Sequence, residues 1–570
     1  MTTKNAEWLS AFERKFIDKD LEITGWDDLA PYFEKLEKTS LESEANLKAW
    51  LINWSELLSA AHEYVSQRYI EMTCHTDDEK KKEAYLVCVR ELEPKLSEFD
   101  DRLNRKYYDS KFRDGLDKSE YGQLNRMIAT SIELFDEKNI PIQVTLQELS
   151  QKYQELMGAM TVMFEGKEKT MPQMSNYLRE PERDLRQRAF TATAERRLEE
   201  KDKLDDMFDA MLKPRADFAE NLGLENYRDY CFKSKLRDYT PDDCFRFHEA
   251  VEKTAVPLAR KISAQRLDKM GIDKLCPWDT ECDEEGRPPL KPFDKVEDLA
   301  QGVTDIFMSV DSRLGERFES IRFSMDLDSR KGKAPGGYQA TLEEARIPFI
   351  FTNAVGSHSD VNTLLHEGGH AFHTLQSREL PLIWYRHSAM EFAEVASMTQ
   401  ELMGGDQLEP FYSDPEERIR ARREHLKGVV SLFGWVARVD AFQHWIYTHP
   451  GHDSGSRNKE WLKLADRFSV GVDWSGAPAG ALDYLWQRQL HIFELPFYYI
   501  EYAIAQLGAL QIYREYRQDK DKAIDNYLKA LSLGGSLPAP QLFEAGGIKF
   551  DFSANLLGEL MEMVEQELEL

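Results

Sequence analysis

The pentapeptide His366-Glu367-Gly368-Gly369-His370 brings two imidazoles and a carboxylate together at a spacing that suits one divalent metal ion. An α-helix turns about 100° and rises about 1.5 Å per residue, so residues four apart stack on one face and both histidines can reach a single ion. Glu367, turned about 100° from His366, stays beside that ion without joining its ligands, where it can take a proton from water. One helical turn thus carries two ligands and a general base for zinc-dependent hydrolysis. A hydrolytic zinc also needs a third protein ligand and one position left open for water. His373 does not supply the ligand, because in a continuous helix it sits roughly 10 Å along the axis from His366. An acid from another helix is required. Glu391 and Glu394 stand three apart on one face of an apolar run that stops at Gly404-Gly405. Spacing makes one the ligand and the other its neighbour without saying which.

These side chains need elements to hold them. Ser357, Ser359 and Asp360 offer N-caps and an acidic first turn, and no proline follows until Pro381, so Asp360 to about Ser377 reads as helix. Glu391 to Met403 reads as a second helix with a glycine stop. Tyr338-Gln339-Ala340-Thr341 and Arg346 to Thr352 read as short strands across a Glu-rich turn. Pro348 lacks a ladder donor, which predicts an edge position for its strand, and an edge strand can hold an extended peptide through its main chain. Gly336 and Gly337 would let the backbone approach such a peptide closely. Tyr499 and Tyr502, three apart in an aromatic run after His491, share a helical face. Their hydroxyls could stabilise the oxyanion that forms when a peptide carbonyl is attacked.

His366-Glu367-x-x-His370-x-x-His373, followed by Phe392-Ala393-Glu394-Val395-Ala396-Ser397, resembles the thimet oligopeptidase and oligoendopeptidase F family of zinc peptidases, most of all its bacterial oligoendopeptidase F branch. Asp328 to Tyr338, with its Arg-Lys-Gly-Lys and Gly-Gly-Tyr elements, and His491 to Tyr502 resemble further parts of the same family. The resemblance implies that Glu394 is the third zinc ligand, with Glu391 as its outer partner. It implies that Tyr499 and Tyr502, with His491, bind the tetrahedral intermediate, and it directs Gly336, Gly337, Tyr338 and Tyr498 to substrate binding. The implied fold is mainly α: a large helical two-lobed ellipsoid around a deep substrate channel, with a small antiparallel β-sheet beside the zinc helix. The implied substrates are short, unfolded oligopeptides.

Composition bounds the rest. The chain has 570 residues and no Gly/Ser-rich linker. Its best breaks, near Lys138 to Thr145 and at Cys276 to Pro292, suggest an N-terminal helical lobe over 1–140, a catalytic helical region over 141–570, and a long surface loop at the second break. Trp50, Trp54, Leu57, Leu58 and Ala61 recur with helical period and read as core. A formal charge of -28 argues against nucleic acid or anionic membrane as partner. Met1 to Leu21 shows no apolar leader, which predicts a cytoplasmic protein. Six cysteines form no CxxC pair, so they read as free thiols and no cysteine zinc site is expected. The expectation is one zinc per chain in an endopeptidase that cuts internal bonds of oligopeptides. A zinc carboxypeptidase or dipeptidyl carboxypeptidase on a related scaffold is the alternative, and a non-catalytic peptide-binding protein with structural zinc is the second.

Overall fold

The structure, a computed structural model, describes residues 12–570, so the first half of the stretch read as lacking a leader lies outside the described residues. The described chain is mainly helical and carries five short strands. β1 (Thr161–Phe164) and β2 (Lys167–Thr170) form an isolated hairpin. β3 (Met325–Asp328), β4 (Tyr338–Leu342) and β5 (Ile347–Ala354) form a sheet in the order β3-β5-β4.

That sheet differs from the expectation in two ways. It is mixed rather than antiparallel, since β3 runs parallel to β5 while β4 runs antiparallel to it. The proline-bearing strand is also central. Pro348 pairs with Thr341 of β4, and β3 joins only from Ile350 onward, so the missing amide falls where β5 has a neighbour on one side. β4 is therefore the exposed edge on the cavity side.

Two hydrophobic cores organise the helices. The smaller is built around the helix Glu44–Cys74, where Trp50, Trp54, Leu57, Leu58 and Ala61 are all buried as their period requires. Leu382, Ile383 and Tyr385 insert into this core from the far side of the chain. Ser55 Oγ donates to Pro381 O at 3.0 Å, and Tyr385 Oη donates to Glu120 O at 2.6 Å, so the connection between the two expected metal-binding helices is tied to the N-terminal core. The larger core gathers most of the remaining helices.

The expected helices are present. One spans His358–Ser377, opened by a capping box in which Ser357 and Asp360 satisfy each other's backbone amides. The other spans Met390–Gly404. They cross in close contact at a glycine: a Cβ on Gly369 would lie 2.4 Å from Ser397 Cα and 2.5 Å from Ala396 O. Gly368 is filled from the other side, since a Cβ there would meet the Phe307 ring at 2.6 Å. The two glycines of the pentapeptide are thus needed for helix packing. The stretch Cys276 to Pro292 is no surface loop at its start. Trp278, Asp279 and Cys282 are buried there, and Asp279 accepts from Arg183 and Arg186 at 2.8 and 2.9 Å. Paired guanidinium groups let an acidic segment enter the interior. None of the described helices is long and apolar enough to cross a membrane.

Candidate active site

Because Gly369 lets the helices meet, Glu394 reaches the two histidines. Its Oε2 lies 3.3 Å from His366 Nε2 and 3.5 Å from His370 Nε2, and the three ligand atoms fall within 4.8 Å of one another. Glu394 is 1% exposed while both histidines are half-buried. The set fits a divalent cation: one carboxylate, two imidazoles, and an open side toward a cavity of about 920 Å³.

Two of these three side chains are held from behind. His366 Nδ1 donates to Glu401 Oε1 at 2.7 Å, and Glu401 Oε2 in turn meets His425 Nε2 at 3.0 Å. A carboxylate on Nδ1 fixes the ring and leaves Nε2 as the ligand. Ser397 Oγ donates to Glu394 Oε2 at 3.2 Å, and the Tyr498 hydroxyl donates to Glu394 Oε1. Burial alone would lower the His366 pKa, but the hydrogen bonds to Glu394 and Glu401 outweigh it and raise it well above the usual value. Burial alone would raise Glu394, yet the charge of His370 and the bonds from both histidines hold it well below the carboxylate range.

Glu367 stands apart from this network. It is 5% exposed, its Oε2 has no hydrogen-bond partner, and burial raises its pKa against the pull of His366 and His370. An unpaired buried carboxylate is costly. A Cβ on Gly337 would come within 3.4 Å of Glu367 Oε1, so the start of β4 passes directly beside it. Gly336, at φ 93°, and Gly337 are both exposed to the cavity.

The C-terminal aromatic run supplies a hydroxyl. Gln489 Nε2 donates to His491 Nδ1 at 2.9 Å, which makes His491 Nε2 the protonated nitrogen; it donates to Tyr502 Oη at 3.1 Å. The Tyr502 hydroxyl lines the cavity beside the Tyr498 hydroxyl. Burial pushes His491 down to about 4, so the ring is neutral near pH 7.

The structure separates three of the expected residues from the roles assigned to them. Glu391 faces away from the histidines. It is held at about 7 by burial and by the charge of Glu501, in a cluster with Arg237 and Tyr239. The carboxylate behind His366 is Glu401. It was legible in principle, because seven residues bring Glu401 back to within about 20° of Glu394 whereas Glu391 is about 60° away. Tyr499 also turns aside, with its hydroxyl near Trp435 and Gln489. The reason is local. The helix begins only at Ile500, and Phe497 adopts φ 62°, held by Gln443 Oε1 on its N–H at 2.8 Å and by Arg237 on its carbonyl. That turn directs Tyr498, not Tyr499, toward Glu394. Tyr338 lines the cavity, but its hydroxyl is bonded to Thr73 Oγ1 at 2.6 Å and its ring stacks on Phe351.

Fold and site together define a mainly helical protein in which His366, His370 and Glu394 form a cluster that could hold a metal ion. The profile of peptidase family M3 matches residues 176–562 and that of the peptidase M3 N-terminal domain matches residues 16–135; the chain belongs to this family. It is 23% identical over 426 residues to oligopeptidase PepF of Bacillus subtilis, a match covering 69% of this chain and 60% of that protein, less than two thirds of its length. It is 28% identical over 219 residues to an oligoendopeptidase F homolog of Borreliella burgdorferi, covering 37% of this chain and 36% of the relative. PZ peptidase A, solved with an inhibitor, superposes with a TM-score of 0.91 at 26% identity, covering 95% of this chain and 97% of that one.

Proposed function

We propose that this chain is a zinc endopeptidase that hydrolyses internal bonds of short, unfolded oligopeptides. The observation that carries the reading is the unpaired Glu367 carboxylate beside the converging His366, His370 and Glu394, at the wall of a cavity bounded by the free edge of β4. A zinc ion held by the trio supplies a Lewis acid that acidifies water and polarises a carbonyl.

The chain's own groups do the rest. β4 offers main-chain donors and acceptors to an extended peptide, and Gly336 and Gly337 keep that edge clear of side chains. A peptide laid there passes Glu367, which removes a proton from the attacking water and returns it to the leaving amine. The Tyr502 hydroxyl, its oxygen already engaged by His491, donates to the oxygen that gains charge. Main-chain recognition supports tolerance of many peptide sequences. The six cysteines are all free and buried, which supports a reducing, cytoplasmic setting.

The test uses an internally quenched peptide blocked at both ends. Cleavage that is lost to a chelator and restored by zinc is the expected result. Failure to cut blocked peptides while free C-termini are trimmed would move the protein to the exopeptidases.

A further inference from the structure

A second set of metal-binding groups lies away from the cavity, between the helix Pro241–Lys253 and the long helix Pro415–Thr448. Cys244 and His248 stand one turn apart on the first, Asp440 and His444 one turn apart on the second. The sulfur of Cys244, a carboxylate oxygen of Asp440 and a ring nitrogen of His444 fall within 4.8 Å of one another. Beside this trio, His248 Nε2 hydrogen-bonds Asp440 Oδ2 at 2.8 Å. All four side chains are interior, with Cys244 and His248 1% exposed, Asp440 0% and His444 3%.

Hydrogen bonding accounts for only part of the cluster. Asp440 Oδ1 and both ring nitrogens of His444 are buried without a hydrogen-bond partner. His444 Nε2 approaches Asp440 Oδ2 to 3.3 Å, so both side chains aim at the same point. Phe232, Phe245 and Phe497 pack against the His444 ring. Charge balance favours a divalent cation, since a thiolate and a carboxylate would neutralise it in the interior. Sulfur, nitrogen and oxygen donors together, all of them buried, suit zinc better than a hard cation.

We propose that Cys244, Asp440 and His444, with His248 holding Asp440 from behind, form a structural zinc site. It pins the long helix at the point where Gln443 accepts the Phe497 amide, and so braces the turn that presents Tyr498 to Glu394. The ligands escape a search for paired cysteines because only one of them is a cysteine.

The test is metal content together with cobalt spectroscopy on the full chain. Protein prepared with zinc should hold two ions, and His370→Ala should hold one. The cobalt-substituted protein should show thiolate-to-metal charge-transfer absorption in the near ultraviolet, retained in His370→Ala and lost in Cys244→Ser. The first trio contains no sulfur, so the band reports this site alone. One zinc in wild type with no such band overturns the proposal, as does a band that survives Cys244→Ser. If Cys244→Ser does not fold, wild type and His370→Ala still decide. Loss of activity in His370→Ala with the band intact speaks only to the proposed peptidase.

Discussion

His366, His370 and Glu394 face a cavity of about 920 Å³, whereas Cys244, His248, Asp440 and His444 meet where none is more than 3% exposed. Both clusters use the same local device, side chains four apart on a helix completed by a second helix. Their surroundings separate them. The first opens to a cavity beside an unpaired Glu367 and a free strand edge; the second includes a sulfur, is packed by aromatic rings and has His248 bonded to Asp440. An open coordination position beside a general base suits chemistry, and a closed site suits stability. Ligand type alone would not divide the two.

The contrast can be broken most severely at Glu394. Glu394→Ala should abolish peptide cleavage and remove one metal ion per chain, read by metal analysis, while the cobalt–thiolate band stays. A variant that keeps its full metal complement would remove Glu394 from the ligand set. Glu367→Gln should lower kcat by about 10² to 10⁴-fold with metal content unchanged; near-normal turnover would show that the unpaired carboxylate is not the base. Tyr502→Phe should cost about 10² to 10³-fold in kcat, and Tyr499→Phe should leave kcat/KM as it was. Equal losses in both would contradict the geometry around Phe497. Glu401→Gln should weaken zinc at the open site by about 10 to 100-fold without touching the closed one, which a chelator titration would resolve. The smallest difference is kinetic: a chelator should strip metal in two phases, activity falling with the faster one and the cobalt–thiolate band with the slower.

Within the first site, legibility followed distance along the chain. The pentapeptide is readable because one helical turn sets the relation of His366, Glu367 and His370, and the helix signals around it are local. Glu394 came from resemblance, because no spacing rule relates residues on separate helices. Choosing Glu391 as its outer partner took the nearest acid in sequence, although the helical angle favours Glu401. Tyr499 was misassigned because the helix was assumed to run through it, and the left-handed turn at Phe497 cannot be read from a non-glycine residue. Pro348 misled in the same way, since its missing donor says nothing about how far a neighbouring strand extends.

By itself the sequence determined the two helices and the placing of His366, Glu367 and His370 on one turn, all of which depend on the helical repeat and on capping within a few residues. Tertiary structure alone decided which acid closes each ligand set, which tyrosine faces the cavity and which strand edge lies open. Those outcomes depend on approaches such as Gly369 against Ser397, where a contact of a few ångströms joins residues whose separation along the chain carries no geometric information.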